Sequence, residues 1–179
     1  GFEAYWSVPA GEETAINGKW VPGPDHDLFN KIKKELGDIP VIAEDLGVIT
    51  DGVAALRDDF ELPGMKVLQF AFDVNEEKAG ALTNAFLPHE YGSNFVVYTG
   101  THDNDTTKGW YETAPEKAKD KVRRYMNTDG NNICWDFIRT CLGTVANYAV
   151  IPMQDVLGVG KEGRMNTPGV AAGNWSWRY

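Results

Sequence analysis

Asn94-Phe95-Val96-Val97-Tyr98-Thr99-Gly100-Thr101-His102-Asp103-Asn104-Asp105-Thr106-Thr107 runs an apolar stretch straight into polar residues. Residues 94–99 read as a strand with little alternation, the pattern of a strand covered on both faces. Working outward, Pro40-Val41-Ile42-Ala43 is a second short apolar run and ends in Glu44-Asp45-Leu46-Gly47. Lys66-Val67-Leu68-Gln69-Phe70-Ala71-Phe72 is a third, followed by Asp73, and Tyr148-Ala149-Val150-Ile151 is a fourth. Helical periodicity separates them. Leu28, Phe29, Ile32 and Leu36 share one face of a helix over 25–36, with Asp25 as N-cap and Gly37 as stop. Further helices are predicted over 50–60, 115–126 and 132–146. This alternation predicts an α/β fold on a parallel sheet. Glu44-Asp45, Asp73 and His102-Asp103 all fall at or just beyond strand C-terminal ends, the edge where parallel α/β folds build their chemistry.

The 179 residues approximate one domain at roughly 150 residues per domain, and no linker, repeat or low-complexity tract divides them, so residues 1–179 are expected to form a single unit. An apolar share of 42% with 24% charged residues supports a packed core. Seventeen Lys+Arg against 26 Asp+Glu leave a net charge of −9, which repels phosphate backbones and anionic lipid, so no nucleic acid and no membrane partner is expected. No apolar run nears the ~18 residues of a membrane helix, and no basic-then-apolar leader opens the chain. Cys134 and Cys141 share one face of a predicted helix and are expected to be reduced core thiols, which suits a reducing compartment and a cytoplasmic location. Opening at Gly1 rather than Met, and ending at Arg178-Tyr179, the chain is expected to be a piece of a longer protein.

Glu44 and Asp45 are neighbours, so on extended backbone they point to opposite sides and only one can face a shared pocket. The pair equally suits a solvated loop that caps the following helix. Asp103-Asn104-Asp105 opens like a calcium loop, but Lys108 stands where Gly is needed and Ala114 where Glu is needed. His26, His89 and His102 share no metal-ligand spacing, so no metal is expected. Gly158-Val159-Gly160-Lys161-Glu162-Gly163 fits the GxGxxG string but follows a helical stretch instead of a strand, which removes the dinucleotide reading. Ser7, Ser93 and Ser176 occupy no nucleophile elbow. Six tryptophans remain. Trp135 reads as core, whereas Trp6, Trp110 and Trp175 sit in polar, Gly-rich settings where a flat ring beside hydrogen-bonding groups suits a sugar face.

Several motifs occur together: Ala43-Glu44-Asp45-Leu46-Gly47, Leu62-Pro63-Gly64-Met65-Lys66, Tyr98-Thr99-Gly100-Thr101-His102-Asp103-Asn104, and Arg164-Met165-Asn166-Thr167-Pro168-Gly169 followed by Gly173-Asn174-Trp175. In these the chain resembles the amylomaltases, also called disproportionating enzymes or 4-alpha-glucanotransferases, of the alpha-amylase clan. The resemblance runs from Gly1 to Tyr179.

The resemblance implies an eight-stranded (β/α)8 TIM barrel, of which these residues would be the C-terminal half, strands five to eight. A full barrel needs about 250 residues, which agrees. It implies transfer of α-1,4-glucan segments between malto-oligosaccharides by a retaining double displacement, with no cofactor. Glu44 would be the acid/base and Asp103 the carboxylate that holds the donor sugar. His102 would contact the same sugar, Asn174 a neighbouring one, and Phe70 would line the site. The nucleophile Asp would precede Gly1, leaving residues 1–179 alone inactive and prone to self-associate or to pair with the missing half-barrel through open sheet edges. A hydrolase of the same clan and a non-catalytic α-glucan-binding fragment are the alternatives.

Overall fold

The computed structural model describes residues 1–47, 49–73 and 84–179. It is mixed α/β and divides into two compact units, Gly1–Gly64 and Met65–Tyr179, although no linker composition marks the division.

The first unit opens with an antiparallel hairpin that the sequence pattern did not announce, β1 (Ala4–Ser7) against β2 (Lys19–Pro22). Its cross-strand pair Trp6 and Trp20 meets edge to face, ring centres 5.4 Å apart. Gly18 lies so close that a Cβ there would run into the Trp6 indole. Helix α1 (Asp25–Leu36) follows, as its periodicity predicts. Its N-cap is Pro24, not Asp25, which is the first helical residue with φ 45 and uses its carboxylate on His26 instead. Gly37 stops the helix at φ 72, a conformation that suits glycine. Helix α2 (Asp51–Asp59) is capped by Thr50, whose hydroxyl accepts from the Val53 amide at 3.2 Å and donates to Glu3 at 2.8 Å. Phe29 joins the two helices by stacking on Phe60 at 5.2 Å.

Residues 40–43 form no strand. Pro40 has no N–H, and among the described residues only one backbone bond, Ala43 N–H to the Pro63 carbonyl at 2.8 Å, takes the place of a ladder.

The second unit carries a three-stranded sheet in the order β3 (Gly64–Val67), β4 (Phe95–Tyr98), β5 (Tyr148–Val150). Strands β4 and β5 are parallel, Val97 opposite Ala149. The strand expected over 66–72 ends at Val67, and Leu68–Phe72 winds into a 3-10 turn. Leu68, Gln69, Ala71 and Phe72 are all buried, and the Asn84 amide donates to the carbonyls of Phe70 and Ala71, which therefore need no ladder partner.

Helices α3 (Thr107–Thr113), α4 (Glu116–Met126), α5 (Ile133–Leu142) and α6 (Met153–Leu157) complete the unit. Leu68, Phe72, Val97, Val122 and Phe137 are fully buried in its core. The helix expected to reach residue 146 stops at Gly143, where the Thr144 hydroxyl takes the Cys141 carbonyl at 2.8 Å. Cys134 and Cys141 are buried and free. Trp135 was expected in the core but is 42% exposed, because Cys134, Phe137, Ile138 and Cys141 form the buried stripe and position 135 falls beside it. Trp110, expected at a sugar face, instead packs on the core at 5.6 Å from Phe137.

Candidate active site

In the first unit the adjacent carboxylates separate as alternation requires. Asp45 turns inward and accepts from Arg57 at 2.7 Å, its side chain 7% exposed. Burial works against the Arg57 guanidinium, but its bonds to Asp45 and Asp58 outweigh that and raise its pKa above the ordinary value. Glu44 is exposed and makes no hydrogen bond or ion pair among the described residues. Asp45 is thus committed to Arg57, and Glu44 stands exposed.

In the second unit β4 delivers Thr99 and then the loop carrying His102 and Asp103. A Cβ at Gly100 would stand 2.7 Å from the Gln69 amide and push aside the group that braces the loop through the Asp105 carbonyl. Asn104 closes the turn by accepting from the Thr101 amide and hydroxyl, each at 2.8 Å. Asp103 is then fixed from across the fold. Its Oδ1 accepts from the Asn166 amide at 2.5 Å and lies 3.3 Å from His102 Nε2, while its carbonyl accepts from Arg164 at 2.8 Å. Arg164 also donates to the Asn166 carbonyl, and the Asn166 amide N–H to the His102 carbonyl, so the two loops lace together.

Trp175 stands 5.1 Å from the His102 ring and is 54% exposed, an apolar plane beside polar groups. It holds a positive φ of 60, which costs a non-glycine residue of order 1 kcal/mol or more and is secured by its amide donating to Met165 at 2.7 Å. Asn174 shapes that turn: its side-chain oxygen accepts from Thr167 and its amide donates to Val170.

A cleft of 160 Å³ is lined by Gly100 to His102, Asn104 to Thr106, Pro152, Gln154, Asp155 and Gly163 to Met165, with Trp175 on one side. That is below the roughly 300–1,000 Å³ of a complete ligand pocket, as expected for part of a site. Asp103 is flanked by two lining residues with its side chain half exposed. Phe70 stands outside the lining and packs edge to face on Phe86 at 5.2 Å. The structure thus brings together His102, Asp103 and the turn shaped by Asn174. Sequence reasoning gave no role to Arg164 and Asn166, although both lie in a motif already singled out. Among the described residues no group of three or more His, Cys, Asp or Glu could hold a metal ion, and no helix is long and apolar enough to cross a membrane.

Comparison with known proteins places the chain among relatives of one name. The chain is 53% identical over its whole length to a 4-alpha-glucanotransferase of Synechocystis, covering 35% of that protein. It is 49% identical over 99% of its length to a chloroplastic/amyloplastic 4-alpha-glucanotransferase of Solanum tuberosum, covering 30% of it. Among solved structures it superposes on an amylomaltase from Streptococcus agalactiae in complex with acarbose with a TM-score of 0.91 and 36% identity, covering 99% of this chain and 35% of that one. The chain spans about a third of the length of the curated relatives it matches. A family model described as 4-alpha-glucanotransferase matches residues 1–179, and the chain belongs to that family.

Proposed function

We propose that these residues supply the acid/base and the sugar-holding carboxylate of an enzyme that transfers α-1,4-glucan segments between malto-oligosaccharides with retention of configuration. The observation that carries this reading is the Asp103 constellation. A carboxylate held by Asn166 and His102, beside the exposed Trp175 ring, sits beyond the C-terminal end of a parallel strand in a chain that the family model matches over residues 1–179.

Glu44 gives its proton to the leaving 4-oxygen while a carboxylate outside these residues attacks the anomeric carbon. It then takes a proton from the 4-hydroxyl of the acceptor as that oxygen displaces the carboxylate. Retention puts the two carboxyl groups about 5 Å apart. Asp103 accepts from the donor sugar's hydroxyls, bonds that tighten as positive charge develops on the ring. His102 donates to the same sugar, and Trp175 offers its flat face to the ring. Asn174 shapes the turn that presents Trp175, beside the contact with a neighbouring sugar that its motif suggests.

The fold that accompanies this reading is the later half, strands five to eight, of a (β/α)8 barrel, with β3, β4 and β5 as three of the four and residues 40–43, which form no strand here, at the place of the first. The parallel β4–β5 pair and the site loops beyond strand ends support it. Strand β5 lies at the sheet edge with Tyr148 62% and Val150 47% exposed, a surface suited to the rest of the barrel or to a second copy. The free thiols suit a reducing, cytoplasmic or stromal compartment.

The test is to incubate the full-length enzyme with maltotriose. Glucose together with products longer than maltotriose is expected. Glucose and maltose alone would make it a hydrolase, and binding without turnover a glucan-binding protein.

A further inference from the structure

Gln154 and Asp155 on α6 are buried, 8% and 1% exposed, and take no part in the chemistry above. Asp155 Oδ2 accepts from the Thr99 hydroxyl at 2.5 Å and the Thr107 hydroxyl at 2.8 Å, and its Oδ1 accepts from the Thr107 amide at 2.8 Å. Thr99 is the first residue after β4 and Thr107 the first of α3, so one carboxylate grips both ends of the loop that carries His102 and Asp103. Gln154 donates to the Gly163 carbonyl at 3.0 Å, immediately before Arg164, whose guanidinium reaches the Asp103 carbonyl. Adjacent side chains thereby anchor both loops that meet at Asp103.

We propose that Asp155 is a positioning residue for the transfer reaction. It clamps loop 99–107 at both ends and so holds Asp103 in place for the donor sugar, while Gln154 anchors the loop that delivers Arg164 and Asn166. This rests on the reading of Asp103 as the sugar-holding carboxylate. A buried carboxylate is costly to leave without partners, so its three bonds fix its place and, through it, the spacing of the two threonines. Asparagine has one acceptor oxygen for these three donors, so whichever way it turns its NH2 faces either the Thr107 amide or the two hydroxyls, and the clamp loosens with little change of volume.

The experiment compares Asp155→Asn, Asp103→Asn and the double variant in the full-length enzyme, measuring kcat and KM on maltotriose with melting temperature as a control of folding. Asp155→Asn is expected to lower kcat by roughly tenfold to a hundredfold, the scale of a 1 Å misplacement, and to leave KM within about twofold. Because the clamp acts through Asp103, the double variant should be no slower than Asp103→Asn alone. Independent losses that multiply, or normal kcat in folded Asp155→Asn, overturn the proposal. If Asp155→Asn does not fold, Thr99→Val and Thr99→Ser replace it: valine should lower kcat and serine restore it, and a valine variant with unchanged kcat overturns the clamp. Near-normal kcat in Asp103→Asn would instead remove the reading of Asp103 on which the clamp depends.

Discussion

The Asp45 carboxylate is tied to the Arg57 guanidinium at 2.7 Å, facing away from the side on which its neighbour Glu44 stands exposed. This sets apart two carboxylates that their adjacency alone does not distinguish. In the full-length enzyme Glu44→Gln keeps the shape and removes the proton donor, so kcat should fall at least ~100-fold with the melting temperature unchanged. Asp45→Asn should do the reverse, costing about 1–3 kcal/mol of stability through the weakened charged bond and leaving turnover largely intact. Steady-state kinetics and thermal melts on the two variants decide, and equal losses of turnover would sink the assignment.

Asp103 has one oxygen committed to Asn166 at 2.5 Å and to His102. Asp103→Asn can keep the Asn166 bond only by pointing its own oxygen there, which leaves an NH2 group facing the sugar hydroxyls. The charge that answers the developing oxocarbenium is also gone. We expect kcat to drop about 100-fold or more while KM moves little, the signature of an interaction made mainly in the transition state. A variant with wild-type kcat and only a raised KM would rule out this role.

The site loop is legible because an apolar strand ends abruptly in polar residues at 99–107, and His102 and Asp103 lie in that short local pattern. What holds the loop in place is not local. Asp155 stands 56 residues from Thr99, and Asn166 stands 63 residues from Asp103, so neither pairing leaves a mark in periodicity or spacing. The strand readings fail where a side chain 13 or 14 residues away takes the backbone carbonyls, at the 3-10 turn Leu68–Phe72, and where a ladder is absent, at residues 40–43. The β1–β2 hairpin escapes notice because its strands are four residues each and the connection is long. Trp110 packs on the core and Trp135 is exposed, against expectation, because a tryptophan's sequence neighbours do not report which side of a helix it occupies.

His26 bridges the two helices of the first unit, with Nε2 3.0 Å from Asp59 and Nδ1 3.1 Å from Asp25. The bonds to Asp59, and next to Asp25, raise its pKa above the ordinary 6.5 against a smaller opposing effect of burial. A raised folded-state pKa means that the charged bridge stabilises fully below the unfolded value of 6.5 and is lost as pH rises through the higher folded value. An NMR titration of the His26 ring should give a midpoint above 6.5 that falls in Asp59→Asn. A midpoint at or below 6.5 in the unsubstituted protein would show that the bridge has no electrostatic weight.

Burial, with a smaller contribution from the Asp155 charge, pushes the Cys134 thiol up to about 11 and the Cys141 thiol to about 12. Since the thiolate is the reacting form, at pH 8 only about one Cys134 in a thousand and one Cys141 in ten thousand is reactive, before access is considered. The two lie seven positions apart on α5, a rise of about 10.5 Å, beyond the ~7 Å limit for bridging Cα atoms, so oxidation cannot join them without unwinding the helix. Native full-length enzyme treated with iodoacetamide at pH 8 should therefore leave both peptides unmodified by mass spectrometry over an hour, and label both within minutes once guanidinium unfolds it. Rapid native labelling of either cysteine would mean that α5 opens to solvent far more readily than its packing against Phe72 and Val97 allows.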